Sequence, residues 1–423
     1  MGEEYFAHPL LNKVSRLTGF IKVPSNGSKK EIEQMYATVK QALRNGEIIC
    51  VFPEGHASRN GVLGHFRDRF EKMIPQDLNV PLIPVYIGGM WGSLFSHYRR
   101  RKRRIHLPRR FPFHVSVQIG KPMSKGIQPF QVRQRIAELG AESAMQPFPY
   151  EKTLHYQLAH FARISPFRIA MRTTEEHEVY NYFRVFRDAA LFSFRLRKTT
   201  SSSEKFVGIF LPNGPDVVLA IFAVLLADKV PCPLNYSTSQ KIADISIRNA
   251  RIKHVISSRS FIQKNPLPPD VNIIFLEDLK QTVTPLERFW ISAGIFILPV
   301  RELLNILSPL SCNNNTGEAV LLFSSGSTGT PKGVLLTHHN LYTDASAILQ
   351  AVTGKRCDKI MGNLPLFHSY GLNVCFWMPF LYGIEVVYVS NPLNAATICE
   401  GIKKYRCTLL FATPSFLQTY LRK

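Results

Sequence analysis

The chain has 423 residues, with 52 Lys and Arg against 30 Asp and Glu, and a net charge of +22. That length allows two or three domains, and a composition of 45% hydrophobic and 11% aromatic residues excludes a chain that is disordered by composition. Residues 1–145 hold 23 basic and 11 acidic side chains, a surplus of +12, so the charge asks for a polyanion, either nucleic acid or an anionic membrane surface. The seven cysteines are odd in number, scattered and without a Cys-x-x-Cys pair, which argues against a disulfide framework or a zinc site and for a reducing compartment. The first 25 residues carry Glu3, Glu4, Lys13, Arg16 and Lys22 without an apolar run, so no signal peptide is visible. The most apolar stretch, Phe289–Val300, is about 12 residues, whereas a bilayer span takes about 20. The expectation is a soluble or peripheral protein.

In chain order, Ser28 followed by Glu31 reads as a capping box that opens a helix. Ile32, Met35, Val39 and Leu43 keep helical spacing, and Gly46 stops it. Glu47–Phe52 is a short apolar run that reads as a buried strand; Val80–Ile87 and His114–Ile119 read as two more, so the first third is expected to form an α/β layer. Six consecutive basic residues, Arg99, Arg100, Arg101, Lys102, Arg103 and Arg104, lie between the last two strands. The proline pair in Gln146–Tyr150 marks a linker, dividing the chain into residues 1–145 and 146–423. Beyond it, the expected elements are a helix around Leu154–Phe161, a polar loop over Thr199–Ser203 and a strand over Phe206–Leu211. A turn at Asn213–Pro215 leads into a helix to Ala227, followed by strands at Pro231–Leu234 and Ala319–Phe323. This alternation favours parallel sheet and an α/β fold class. Phe289–Leu310 reads either as an interfacial helix or as a core helix interrupted by Pro299.

Two motifs carry chemistry. In the first, Phe52, Pro53, Glu54 and Gly55 end a strand candidate, with Arg59 close behind. The C-terminal edge of a strand is where α/β folds bind ligands, although a plain turn with a solvated Glu54 has the same pattern. With Gly19-Phe20-Ile21-Lys22 upstream and Val80-Pro81-Leu82-Ile83-Pro84-Val85 downstream, residues 15–125 resemble the glycerolipid acyltransferase family. The resemblance implies that Phe52, Pro53, Glu54 and Gly55 help hold a glycerol-phosphate acceptor, with Lys22 and Arg59 near its phosphate. That family usually has Arg where this chain has Lys22, and Arg can grip phosphate bidentately where Lys is a point charge. The family's catalytic His, four residues, Asp is not found upstream: His8 is followed at that spacing by Lys13. The pair His339 and Asp344 has the spacing but lies in the other domain.

In the second, the strand candidate Ala319–Phe323 runs into Ser324, Ser325, Gly326, Ser327, Thr328, Gly329, Thr330, Pro331, Lys332 and Gly333. Glycines and hydroxyls after a strand can wrap phosphates with backbone N–H groups, and Lys332 adds positive charge. The spacing is not that of a Walker loop, which needs Gly-Lys-Ser/Thr after four intervening residues. With Asn363–Gly371 and Phe411–Phe416, residues 150–423 resemble the adenylate-forming superfamily. The resemblance implies a carboxylate attacking the α-phosphate of ATP, with Ser324–Lys332 on the β- and γ-phosphates, Mg²⁺ offsetting their charge, and His368 beside the acyl or carboxylate pocket. The Tyr-Gly-x-Thr-Glu motif and the C-terminal catalytic Lys of that superfamily are not found before Lys423.

The domain order resembles that of bacterial bifunctional enzymes that activate a fatty acid on acyl carrier protein and acylate 2-acylglycerophosphoethanolamine. The implied partners are a fatty acid, acyl carrier protein or CoA, and a lysophospholipid, at the cytoplasmic face of a membrane. Arg99–Arg104, behind Trp91 and Phe95, would meet anionic headgroups; nucleic acid is not expected, because no binding module accompanies the basic run. With neither catalytic set whole, the expectation is an internal piece with little activity of its own, and the alternative is a binding protein that keeps both folds without turnover. No protein-held metal site is expected.

Overall fold

The computed structural model describes residues 19–21, 23, 24, 28–56, 58, 61–66, 70–75, 77–91, 115–124, 126–145, 152–175, 178–310, 314–324, 330–352 and 354–422. The chain divides into two compact units, Met1–Gln146 and Pro147–Lys423. Lys22, Arg59 and the basic run Arg99–Arg104 lie outside the described residues, as does the linker candidate Gln146–Tyr150.

In the first unit, helix α1 spans Lys29–Arg44, and its capping box is complete. The Ser28 hydroxyl accepts from the Glu31 amide, and the Glu31 carboxylate accepts from the Ser28 amide at 2.7 Å. Asn45 is the C-cap and Gly46 follows at φ +81°, the left-handed turn that ends the helix. Strands β1 (Val85–Gly88) and β2 (Ser116–Ile119) pair antiparallel, shorter than the apolar runs that announce them. Helix α2 (Pro129–Ala144) packs on both strands and buries Val132 and Leu139.

The expectation for Glu47–Phe52 is corrected. The segment forms no ladder among the described residues, and Ile48 is 98% and Phe52 71% exposed. An apolar run states a demand for burial, but a strand also needs neighbours that supply ladder bonds and cover both faces. The described two-stranded sheet supplies neither to this segment, and its own Val85, Ile87, Val117 and Ile119 are exposed.

The second unit is α/β. A five-stranded sheet has the order β13-β11-β12-β3-β4, from β3 (Ile169–Thr173), β4 (Val179–Asn181), β11 (Lys359–Gly362), β12 (Glu385–Tyr388) and β13 (Leu409–Leu410). It is parallel except for the antiparallel β3–β4 pair. A four-stranded sheet of order β6-β5-β7-β8 is wholly parallel, from β5 (Phe206–Ile209), β6 (Val230–Pro233), β7 (His254–Ser257) and β8 (Asn272–Phe275). Parallel strands covered on both faces read as continuous apolar runs, and β6 is buried along its whole length.

Helix α3 (Leu154–Ile164), α4 (Tyr182–Thr199) and α5 (Pro215–Leu226) build the core with these sheets. Helix α5 starts with Pro at its first turn and buries every residue from Val217 to Leu226. It touches β5 and β6 of one sheet and β3 of the other, so it needs an apolar surface all round rather than a stripe. Helices α6 (Gln240–Asn249), α7 (Arg259–Lys264) and α8 (Leu276–Gln281) follow strands of the four-stranded sheet. Phe289–Leu310 resolves into α9 (Pro285–Ile297) and α10 (Val300–Leu307), broken at Leu298-Pro299 because Pro cannot continue a helix interior. No described helix is long and apolar enough to cross a membrane.

Candidate active site

The hydroxyl- and glycine-rich run connects two antiparallel strands, β9 (Glu318–Ser324) and β10 (Lys332–Thr337). Residues Ala319–Leu322 are buried and anchor the hairpin; Lys332–Leu335 are exposed. The register sets Lys332 opposite Ser324, and the Ser324 hydroxyl donates to the Lys332 carbonyl at 3.5 Å. Thr330 is exposed beside them. Ser325, Gly326, Ser327, Thr328 and Gly329 lie outside the described residues.

The Lys332 ammonium is exposed and has no ion-pair partner among the described residues. An unpaired cation beside hydroxyls at a hairpin end fits the negative charge of a polyphosphate. The loop does not open directly onto a helix: α11 (His338–Ala351) begins only after β10, where Thr337 accepts from the Asn340 amide in a capping box. An anion placed at this end of the hairpin would meet the Lys332 ammonium without the aligned dipole of a helix start. Among the described residues no three His, Cys, Asp or Glu side chains cluster as metal ligands.

His368 lies beyond the C-terminal end of β11, the sheet edge at which parallel folds receive ligands. Its ring is exposed and its backbone is fixed: its amide donates to the Pro365 carbonyl at 3.2 Å, and its carbonyl accepts from Leu372 at 2.8 Å. Two buried asparagines hold this turn. Asn213, after β5, donates to the Leu364 carbonyl at 2.7 Å and accepts from the Leu366 amide at 3.1 Å. Asn363 donates to the Phe411 carbonyl and to the Tyr420 hydroxyl, both at 3.1 Å. Sequence reasoning takes Asn213 only as a turn residue, because nothing local announces partners so far along the chain.

After His368 the chain runs as α12 (Ser369–Leu372), a π-helical turn over Asn373–Trp377, and α13 (Met378–Tyr382). This stretch packs on α11, and the Asn373 amide donates to the Asp344 carboxylate. The helix after the β9–β10 hairpin and the helix after His368 are thus fastened together. Beneath them His338 and His155 are wholly enclosed, their rings edge-on at 5.3 Å. Burial lowers the pKa of His155 to about 3; burial and the neighbouring His155 charge hold that of His338 well below the usual value.

In the first unit, Phe52-Pro53-Glu54-Gly55 is a β-turn, closed by the Gly55 amide on the Phe52 carbonyl at 3.0 Å. Pro53 pre-sets the second position and Gly55 takes φ +71°. The Glu54 carboxylate accepts from the Gly64 amide at 2.7 Å. Arg133 of α2 holds the same loop from the other side, donating to the carbonyls of Gly64 at 2.7 Å and Leu63 at 3.1 Å. One Glu54 oxygen is thereby committed to the fold, which sequence alone does not reveal.

The second unit has a mixed α/β fold, and the chain belongs to the AMP-binding enzyme family, whose model matches residues 158–423. Residues 1–88 match the acyltransferase model. A probable 4-coumarate–CoA ligase of Dictyostelium discoideum is 26% identical over 231 residues, 52% of this chain and 42% of that protein. A long-chain-fatty-acid–CoA ligase of Bacillus subtilis is 26% identical over 235 residues, covering 49% and 41%. The chain spans about half the length of the curated relatives it matches. O-succinylbenzoate coenzyme A synthetase of Bacillus subtilis in complex with AMP shares the fold at TM-score 0.52 and 20% identity, over 64% of each chain. The N-terminal domain of FACL13 from Mycobacterium tuberculosis does so at TM-score 0.52 and 18% identity, over 64% of this chain and 66% of that one.

Proposed function

We propose that the chain carries the nucleotide-, acyl- and acceptor-binding parts of a bifunctional acyl-acyl carrier protein synthetase and 2-acylglycerophosphoethanolamine acyltransferase, with little of either activity alone. The second unit activates a fatty acid with ATP, and the first passes an acyl group to a lysophospholipid hydroxyl. In activation, a carboxylate oxygen forms a bond to the α-phosphorus while the bond to the bridging oxygen breaks, and pyrophosphate leaves with that electron pair. Ser324, Ser325, Gly326, Ser327, Thr328, Gly329, Thr330 and Lys332 hold the leaving phosphates, and Mg²⁺ bound to them offsets their charge. His368 lines the acyl and carboxylate side. In the first unit, Lys22, Phe52, Pro53, Glu54, Gly55 and Arg59 hold the acceptor. Acyl carrier protein, or CoA in its place, carries the acyl group between them. Arg99–Arg104 keep the protein at the cytoplasmic face of an anionic membrane.

One observation carries the reading of the second unit: Lys332 stands exposed at the end of the serine- and glycine-rich hairpin, with no ion-pair partner among the described residues. The similarity to a fatty-acid–CoA ligase supports the acid as the acyl source, and the acyltransferase match over residues 1–88 supports the transfer. Calorimetric titration of the full chain with Mg²⁺-ATP tests it. A charge-assisted phosphate contact contributes about 1.5–3 kcal/mol, so Lys332→Ala is expected to weaken binding roughly tenfold or more, and Lys332→Arg much less. Equal affinities for Lys332→Ala and the parent chain would overturn the assignment.

A further inference from the structure

Helix α9 is apolar on two sides. Ile291 and Ile295 face the core, whereas Leu286, Phe289, Trp290, Phe296 and Ile297 are exposed by 65, 61, 65, 51 and 73%. Their spacing, with Ala293 between, makes one stripe along the helix. The end of α3 extends it. Ile164 and Phe167 are exposed there, and Arg163 between α3 and the α9 terminus donates to the Leu298 carbonyl. The Phe183 amide bonds the Pro166 carbonyl, and the Phe183 ring stacks on Phe296 at 5.5 Å. The stripe and the α3 terminus are therefore one continuous patch of aromatic and branched side chains.

Two features say what covers it. First, the stripe carries no side-chain hydrogen-bonding group except the indole N–H of Trp290. Protein interfaces average about one hydrogen bond per 100–200 Å² and need such groups, but acyl chains need none. Second, the cations around it are available. Arg288 in α9 and Arg301 in α10 are exposed and have no ion-pair partner among the described residues. Of the two acids, Glu287 is engaged by Arg195 at 2.7 Å, and Glu302 is next to Arg301 in sequence. Apolar and aromatic residues on a helix flanked by free arginines match an anionic lipid interface, where Trp favours headgroup depth. With 13 residues the helix is too short to span a bilayer, so it could meet one only along its side.

We propose that this patch is a lipid-binding face of the second unit, which inserts α9 side-on into the interface of an anionic phospholipid bilayer. The proposal does not rest on the ligase reading or on Arg99–Arg104, and its test reads neither.

The full chain is mixed with vesicles of phosphatidylglycerol and dibrominated phosphatidylcholine in equal parts, and tryptophan emission is followed. Trp377 is buried, and Trp91, close to Arg99–Arg104, is replaced by Phe in every protein compared in this assay, so Trp290 is the reporter. Emission is expected to shift to the blue and be quenched by the brominated lipid, and Trp290→Phe should remove the quenching. The double variant Phe289→Ser, Ile297→Ser keeps Trp290, and losing two apolar side chains that would enter the lipid should weaken binding roughly tenfold or more. Circular dichroism checks its fold; if that variant does not fold, Trp290→Phe still decides. Quenching that persists in Trp290→Phe would overturn the proposal. So would vesicle binding without quenching, no vesicle binding, or a dimer in sedimentation that the double variant dissociates. ATP binding takes no part in the readout, so loss of nucleotide affinity leaves this result standing.

Discussion

His155 and His338 face each other with no charged partner and with unsatisfied ring nitrogens, His155 at Nδ1 and His338 at Nε2. Burial is what sets their titration. An imidazole enclosed this way stays neutral in the folded chain and takes up its proton only on unfolding. The unfolded state then binds more protons at every pH from about 6.5 down to the folded value of about 3, so stability falls with acidification across that window. Between about pH 7.5 and 5.5, His155 accounts for about 1 kcal/mol of lost stability, and His338 adds loss of the same sign. Urea unfolding at both pH values checks this: His155→Gln should lose about 1 kcal/mol less than the parent over that interval, and equal losses would contradict it. Neither histidine, nor the Asn213 clip, is legible in the sequence. Each gains its meaning from a partner brought up by the fold, whereas Lys332 announces itself through its neighbours in the chain.

Elements whose cause is local are the ones the sequence states well. Helix α1 is set by Ser28 and Glu31, three residues apart, and stopped by Gly46, so its limits can be read directly. Helix α5 is likewise marked by Pro215 and an unbroken apolar run. Glu47–Phe52 has the composition of a strand, but pairing is a property of two segments, and the sequence of one cannot supply the other. The turn holding His368 lies between these cases. Asn363–Gly371 is recognisable as a motif, yet why it ends in glycine is visible only in three dimensions. A Cβ on Gly371 would overlap the Pro365 carbonyl oxygen, which already accepts from the His368 amide, and would press on Leu364. The helix start and the turn approach too closely for any side chain. Gly371→Ala must push the turn apart, with an overpacking cost of about 1–3 kcal/mol. Ser369→Ala, on an exposed neighbour, should be close to neutral. A shift in the urea midpoint for the first and not the second is the expected pattern, and equal shifts would show that the close approach is not what the glycine permits.

At the scale of the molecule, the surplus of charge and the weight of the core fall on different units. Residues 1–145 hold +12 of the +22 in about a third of the length. The described buried apolar side chains of the first unit are few, with Met35 and Val39 of α1, Phe66, and Val132 and Leu139 of α2 among them. The second unit joins α3, α4, α5 and both its larger sheets in one continuous cluster. Composition alone shows only that the whole chain has enough apolar residues, because an average over 423 positions cannot assign them to a unit. Self-repulsion opposes compaction most where the charge is densest, and local opening is easiest where the fewest apolar contacts must be broken. Helix α1 buries two of its 16 residues, whereas α5 buries ten of its 12. Amides of α5 can exchange only when the second unit opens as a whole, but those of α1 need break little more than one seam. Native-state hydrogen exchange on the full chain should therefore give α5 protection factors roughly a hundredfold or more above those of α1. Comparable protection in the two helices would mean that α1 is held by contacts beyond the buried pair Met35 and Val39, and that the uneven core does not govern how the chain opens.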